Sequence, residues 1–73
     1  MREEIAAIIN EITPALDLED EDLNLADDMD SMDIIALIEE LEDKFDVEIT
    51  MQEKTEENFR NVDTLAEMIE RLL

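Results

Sequence analysis

Apolar residues recur at helical spacing in three segments of the chain. In the first, Ile5, Ile8, Ile9 and Ile12 fall within about 100° of arc on a helical wheel. That predicts an amphipathic helix over residues 2–13. Pro14 limits it, because proline disfavours helical geometry in the residue before it. From Pro14 to Met29 the leucines Leu16, Leu18, Leu23 and Leu25 are scattered among acids, without a helical period. This stretch reads as a long loop pinned to a core by its leucines. Loops longer than about 12–15 residues in compact domains are usually functional or disordered, and the leucines favour function.

The second helical segment runs from Ser31 to Phe45. Asp30 can cap it, and Asp33, three residues on, can complete a capping-box-like pair. Thr50 opens a short irregular stretch, and Thr55–Phe59 has room for one or two helical turns. The third segment places Leu65, Met68, Ile69 and Leu72 on one face, with Asp63 as its cap and Arg71 suiting its C-terminal end. With no glycine in the chain, no repeat and no linker, these elements predict an all-α fold. It is a small antiparallel four-helix bundle, three main helices plus one short one, with a long first loop. Residues 1–73 read as one domain.

The helix after Ser31 carries more apolar surface than its core side needs. With Met32 at 0°, Leu37, Leu41, Ile34, Phe45 and Ile38 lie between about 140° and 240°. Met32 and Ile35, the latter at about 300°, stand apart from that stripe. Their neighbours on the wheel are Glu39, Glu42 and Asp43. Isolated exposed apolar residues are ordinary on protein surfaces. An apolar centre with a charged rim is also how docking surfaces are commonly built, and methionine adapts to more than one partner.

Composition narrows the function. The chain has 73 residues and a net charge of −19, from 24 acids against 5 bases. Nucleic acid and anionic membrane surfaces would be repelled, whereas a basic protein surface would be steered in. Histidine and cysteine are both absent. That removes the usual general base near neutral pH, the thiolate nucleophile and the commonest metal ligands, so a self-contained hydrolase is disfavoured. No run approaches the roughly 20 apolar residues of a membrane span, and the acidic start lacks the features of a signal peptide. A soluble cytoplasmic protein is the expectation. An EF-hand-like calcium loop fails on spacing: counted from Asp20, Leu25 falls on the glycine position and Ser31 on the closing glutamate. No specific metal site is predicted, although the acidic face can attract divalent ions loosely.

One stretch, Asp30-Ser31-Met32-Asp33, opens the second helix, which ends in Glu42-Asp43-Lys44-Phe45. On these residues alone, Asp-Ser at a helix start is most simply a cap. Val47-Glu48-Ile49 follows, then Asn58-Phe59 and Val62-Asp63-Thr64-Leu65. In this order and at this length the chain resembles the acyl carrier proteins. The resemblance implies that Ser31 accepts 4′-phosphopantetheine from a separate transferase that uses coenzyme A and magnesium, and that Asp30 is the acidic residue preceding it. It implies that the arm's thiol carries acyl or aminoacyl groups as thioesters for fatty acid, polyketide or other dedicated biosynthesis. The chain would then be a monomeric carrier and not an enzyme. Its partners would be the transferase, a loading ligase and acyl-processing enzymes with basic surfaces. Met32 and Ile35 match the family's partner-contacting positions, with Glu39, Glu42 and Asp43 around them.

The chain departs from the family in three places. Asp28 stands where most members have the glycine of Gly-x-Asp-Ser, a residue free to take positive φ. Phe45-Asp46 replaces the common Phe-Gly. Met32 replaces a leucine, and Asp-Ser-Met resembles the D-alanyl carrier proteins and other specialised carriers. The alternative reading is an acidic helical interaction domain of the same fold with no prosthetic arm.

Overall fold

A computed structural model describes residues 1–73, and its elements follow from the apolar pattern. Helix α1 spans Arg2–Ile12, with Ile5 and Ile9 fully buried and Ile8 and Ile12 packed at the edge of the core. Glu3 and Glu4 occupy its first turn, where negative charge suits the helix dipole. It stops one residue short of the expected end. Thr13 has already left helical geometry, at φ −134° and ψ 77°, since the following proline disfavours the helical region.

The first connection is the predicted leucine-pinned loop. Leu23 and Leu25 are buried, and Leu16 and Leu18 pack on the core. Its aspartates build turns: Asp17 accepts the Glu19 N–H at 3.0 Å and Asp20 accepts the Asp22 N–H at 2.9 Å, which is how Asp stabilises local chain reversals. The loop also contains a one-turn helix, α2, over Leu25–Asp28, which the apolar pattern did not reveal. Asp28 closes that turn, its carboxylate accepting the Asn24 N–H at 3.1 Å. It therefore serves without the positive φ that a glycine would permit. The only residue of the chain with positive φ is Asp46.

Helix α3 spans Ser31–Phe45 and buries Leu37 and Leu41, with Ile34, Ile38 and Phe45 partly covered. It ends at Asp46, which takes the left-handed conformation at φ 54° and ψ 52°, a geometry glycine adopts at least cost. Glu42 secures the exit: its backbone carbonyl accepts from Asp46 and its carboxylate accepts the Ile49 N–H at 2.8 Å. A short 3₁₀ turn follows at Met51–Glu53. The helix expected over Thr55–Phe59 is instead a turn, held by one backbone bond from the Phe59 N–H to the Thr55 carbonyl at 3.1 Å.

Helix α4 spans Val62–Leu72 and buries Leu65, Ala66, Met68 and Ile69. Its cap is Asn61, not the expected Asp63. The Asn61 side chain accepts the Thr64 N–H at 2.9 Å, and the Thr64 hydroxyl accepts the Asn61 N–H at 3.0 Å. This reciprocal pair satisfies two groups at the helix start, whereas Asp63 points outward to Arg2 at 3.2 Å.

Contacts along the helices define the architecture. Lys44 meets Glu4 at 3.6 Å, and the Thr13 hydroxyl donates to Asp33 at 3.5 Å, so α1 and α3 run antiparallel. The Arg2–Asp63 pair brings the N-terminal ends of α1 and α4 together, so the three main helices run up, down, up. Helix α1 packs on both α3 and α4, which meet each other less closely. The core holds 13 buried residues, all hydrophobic. No helix is long and apolar enough to cross a membrane.

Candidate functional site

Ser31 is the first residue of α3. Its side chain is exposed and makes none of the hydrogen bonds that close the helix start. Asp30 does that work: its carboxylate accepts the Asp33 N–H at 2.8 Å. Asp33 does not bond back to Asp30, so the expected capping box is half formed. Its carboxylate accepts from Thr13 on α1 instead, tying the site's helix to its neighbour. Most of the acids crowding the serine thus have local tasks, Asp28 in α2, Asp30 as cap and Asp33 as the link to α1. Asp27 has no such bond and lines the groove beside Ser31.

The two methionines that flank this stretch have opposite fates. Met29 is buried beneath the site, whereas Met32 is 78% exposed. Ile35, one turn on, is 55% exposed. Glu39 and Asp43 are exposed near them, while Glu42 is half-buried and commits an oxygen to the Ile49 N–H. Met32, Ile35, Glu39 and Asp43 are thus all exposed on α3, whereas Glu42 carries a structural task.

Beside Ser31 lies an open groove of about 640 Å³. Ile34, Ile35 and Ile38 of α3 form one wall, Met29 and Phe59 the deeper apolar surface, and Lys54, Thr55 and Glu56 the opposite rim. The far wall is tightly built. The Glu53 carbonyl accepts both the Thr55 N–H at 2.9 Å and the Asn58 side-chain amide at 2.8 Å. The Asn58 carbonyl accepts the Thr64 hydroxyl at 3.0 Å, and its side-chain oxygen accepts from Arg71 at 3.0 Å. Two backbone bonds, Leu25 N–H to the Arg60 carbonyl and Ala26 N–H to the Phe59 carbonyl, each 2.9 Å, clasp this wall to α2. The sequence reading missed this wall, because nothing in the spacing of Lys54, Thr55 and Phe59 says that they face Ser31. The Asn58-Phe59 pair was the one available signal.

No side chain hydrogen-bonds to the Ser31 hydroxyl, and no group of acidic side chains converges in a metal-ligating arrangement. The arrangement at the start of α3 is chemically simple. It offers an accessible hydroxyl, a helix N-terminus whose first N–H groups lack intrahelical acceptors and favour an anion, and a groove that can shelter an attached chain. A family model described as the phosphopantetheine attachment site matches residues 3–72. Searches of curated proteins and of solved structures gave no match.

Proposed function

This chain belongs to the phosphopantetheine attachment-site family, the carriers of 4′-phosphopantetheine, and from that membership we infer that Ser31 is its attachment residue. The observation that supports this most directly is the division of labour at the start of α3. Asp30 caps the helix, so the neighbouring hydroxyl is exposed and uncommitted. The fit extends to the groove, whose apolar wall begins at Ser31.

In the attachment step Ser31 Oγ bonds to the phosphorus that carries the pantetheine of coenzyme A. The bond from that phosphorus to the nucleotide's bridging oxygen breaks, and adenosine 3′,5′-bisphosphate leaves. The serine proton passes to a base of the transferase, since the chain offers no histidine to take it. The arm supplies the terminal thiol on which an acyl or aminoacyl group rides as a thioester. The protein's own residues do the rest. The start of α3 offers N–H groups to the phosphodiester, Ile34, Ile35 and Ile38 line its path, and Met32 and Ile35 offer the apolar centre of a docking face ringed by Glu39, Glu42 and Asp43. The net charge of −19 speeds the approach of partners with basic surfaces. We read the protein as a monomeric cytoplasmic carrier, one domain over residues 1–73. It is loaded by an acyl or aminoacyl ligase and serves dedicated biosynthesis; Met32, in place of leucine on the exposed face, supports a specialised partner set.

The test is intact mass after incubation with coenzyme A, magnesium and a broad-specificity phosphopantetheinyl transferase. The mass should rise by one phosphopantetheinyl group, and Ser31→Ala should abolish the gain. No gain with several such transferases would favour the armless interaction domain.

A further inference from the structure

Of the five basic residues, Arg2 pairs with Asp63 at 3.2 Å and Lys44 with Glu4 at 3.6 Å. Arg71 is held by the Asn58 side chain at 3.0 Å. Arg60 and Lys54 have no carboxylate partner. In a chain with 24 acids, a lysine left without one is conspicuous, and only Lys54 of the five lines the groove that holds Ser31.

Its place there is well determined. The Lys54 N–H donates to the Met51 carbonyl at 3.2 Å, and the next residue's N–H donates to Glu53 at 2.9 Å. The Asn58 amide locks the same Glu53 carbonyl. The backbone is pinned on both sides, while the side chain is exposed and carries its charge on a flexible four-carbon stem. The other charges on this rim are Asp27 and Glu56, with Asp30 and Asp33 at the helix start. Adding a phosphodiester to Ser31 adds one more anion to that group, and Lys54 is the only cation on the groove to oppose the repulsion.

We propose that Lys54 receives the phosphodiester of the arm on Ser31 and so holds the arm's first segment across this groove. The proposal rests on the reading of Ser31 as the attachment residue. A lysine meets phosphate as a point charge and not as a fixed fork, so arginine can replace it.

The experiment compares apo and holo forms of the wild type, Lys54→Gln and Lys54→Arg. At low salt, Lys54→Gln should lower the holo melting temperature by roughly 2–4 °C more than it lowers the apo value, the scale of one partly exposed ion pair in a domain this small. Lys54→Arg should restore the difference, and high salt should shrink it. The Lys54 ε-methylene resonances should shift between apo and holo protein, and those of Lys44 should not. Equal melting shifts in apo and holo protein, with unmoved Lys54 resonances, would overturn the proposal and leave the attachment reading intact. A mass unchanged by the transferase would overturn both.

Discussion

Helices α3 and α4 draw on similar residues and use them oppositely. Helix α4 has 11 residues and buries four of them; α3 has 15 and buries only Leu37 and Leu41. The cap of α4 is a closed reciprocal pair, whereas that of α3 is a single bond that leaves Ser31 free. Four further apolar residues of α3 have other places, Met32 on the surface, Ile35 exposed at the groove's edge and Ile34 and Ile38 along the groove. One helix is optimised to stay in place, the other to present.

The contrast can be broken in several ways. Truncating α4 at Leu65→Ala should cost about 2–5 kcal/mol in urea unfolding, as a fully buried leucine does. Met32→Ala should cost less than about 0.5 kcal/mol, as exposed positions do. Comparable losses at the two sites would erase the distinction. The same Met32→Ala change, and Ile35→Ala, should lower transferase kcat/KM about tenfold, equivalent to about 1.4 kcal/mol of transition-state binding. A drop in turnover matched by unfolding would return both residues to the core. Asn61→Ala should destabilise by about 1 kcal/mol through loss of the cap. Asp30→Ala should cost less, because removing a carboxylate from the acidic helix start offsets part of the loss; an equal or larger cost would mean that repulsion there is weak. A small gain is expected at the exit of α3. Asp46→Gly should stabilise by about 0.5 kcal/mol by relieving a left-handed residue. Asp46→Ala serves as the control, because it removes the charge without easing positive φ; an equal gain from it would assign the effect to charge instead of geometry.

The three main helices were legible because each repeats its apolar positions over several turns, and the leucine-pinned loop because Leu23 and Leu25 had no other use among so many acids. Helix α2 was not: one turn has no period to read. The cap of α4 was misread because Asn61 and Asp63 are both good capping residues two positions apart. Long-range partners decided between them, Thr64 bonding back to Asn61 and Arg2 drawing Asp63 outward. At the site, Ser31 and the exposed pair Met32 and Ile35 could be read from one helical wheel and one short motif. The groove could not. Its far wall is placed by backbone bonds from residues 25 and 26 to residues 59 and 60, and backbone groups leave no mark in a sequence. Asp28 and Asp46, the two departures that replace family glycines, have separate explanations: the first finishes a helical turn, the second occupies the one position where a glycine's freedom would help.

The clasp between Leu25-Ala26 and Phe59-Arg60 has a consequence for the order of events in a growing chain. It joins segments far apart in sequence and encloses the whole of α3 between them. Helices α1 and α3 can pair as soon as both have been synthesised, but Ser31 then faces solvent with no opposite wall. The groove is complete only after residue 60 has been added and the clasp has closed, and the Asn58 knot waits further for Thr64 and Arg71. An enzyme that recognised this serine by the shape around it would therefore meet a complete site only once residue 60 had been added and the clasp had closed.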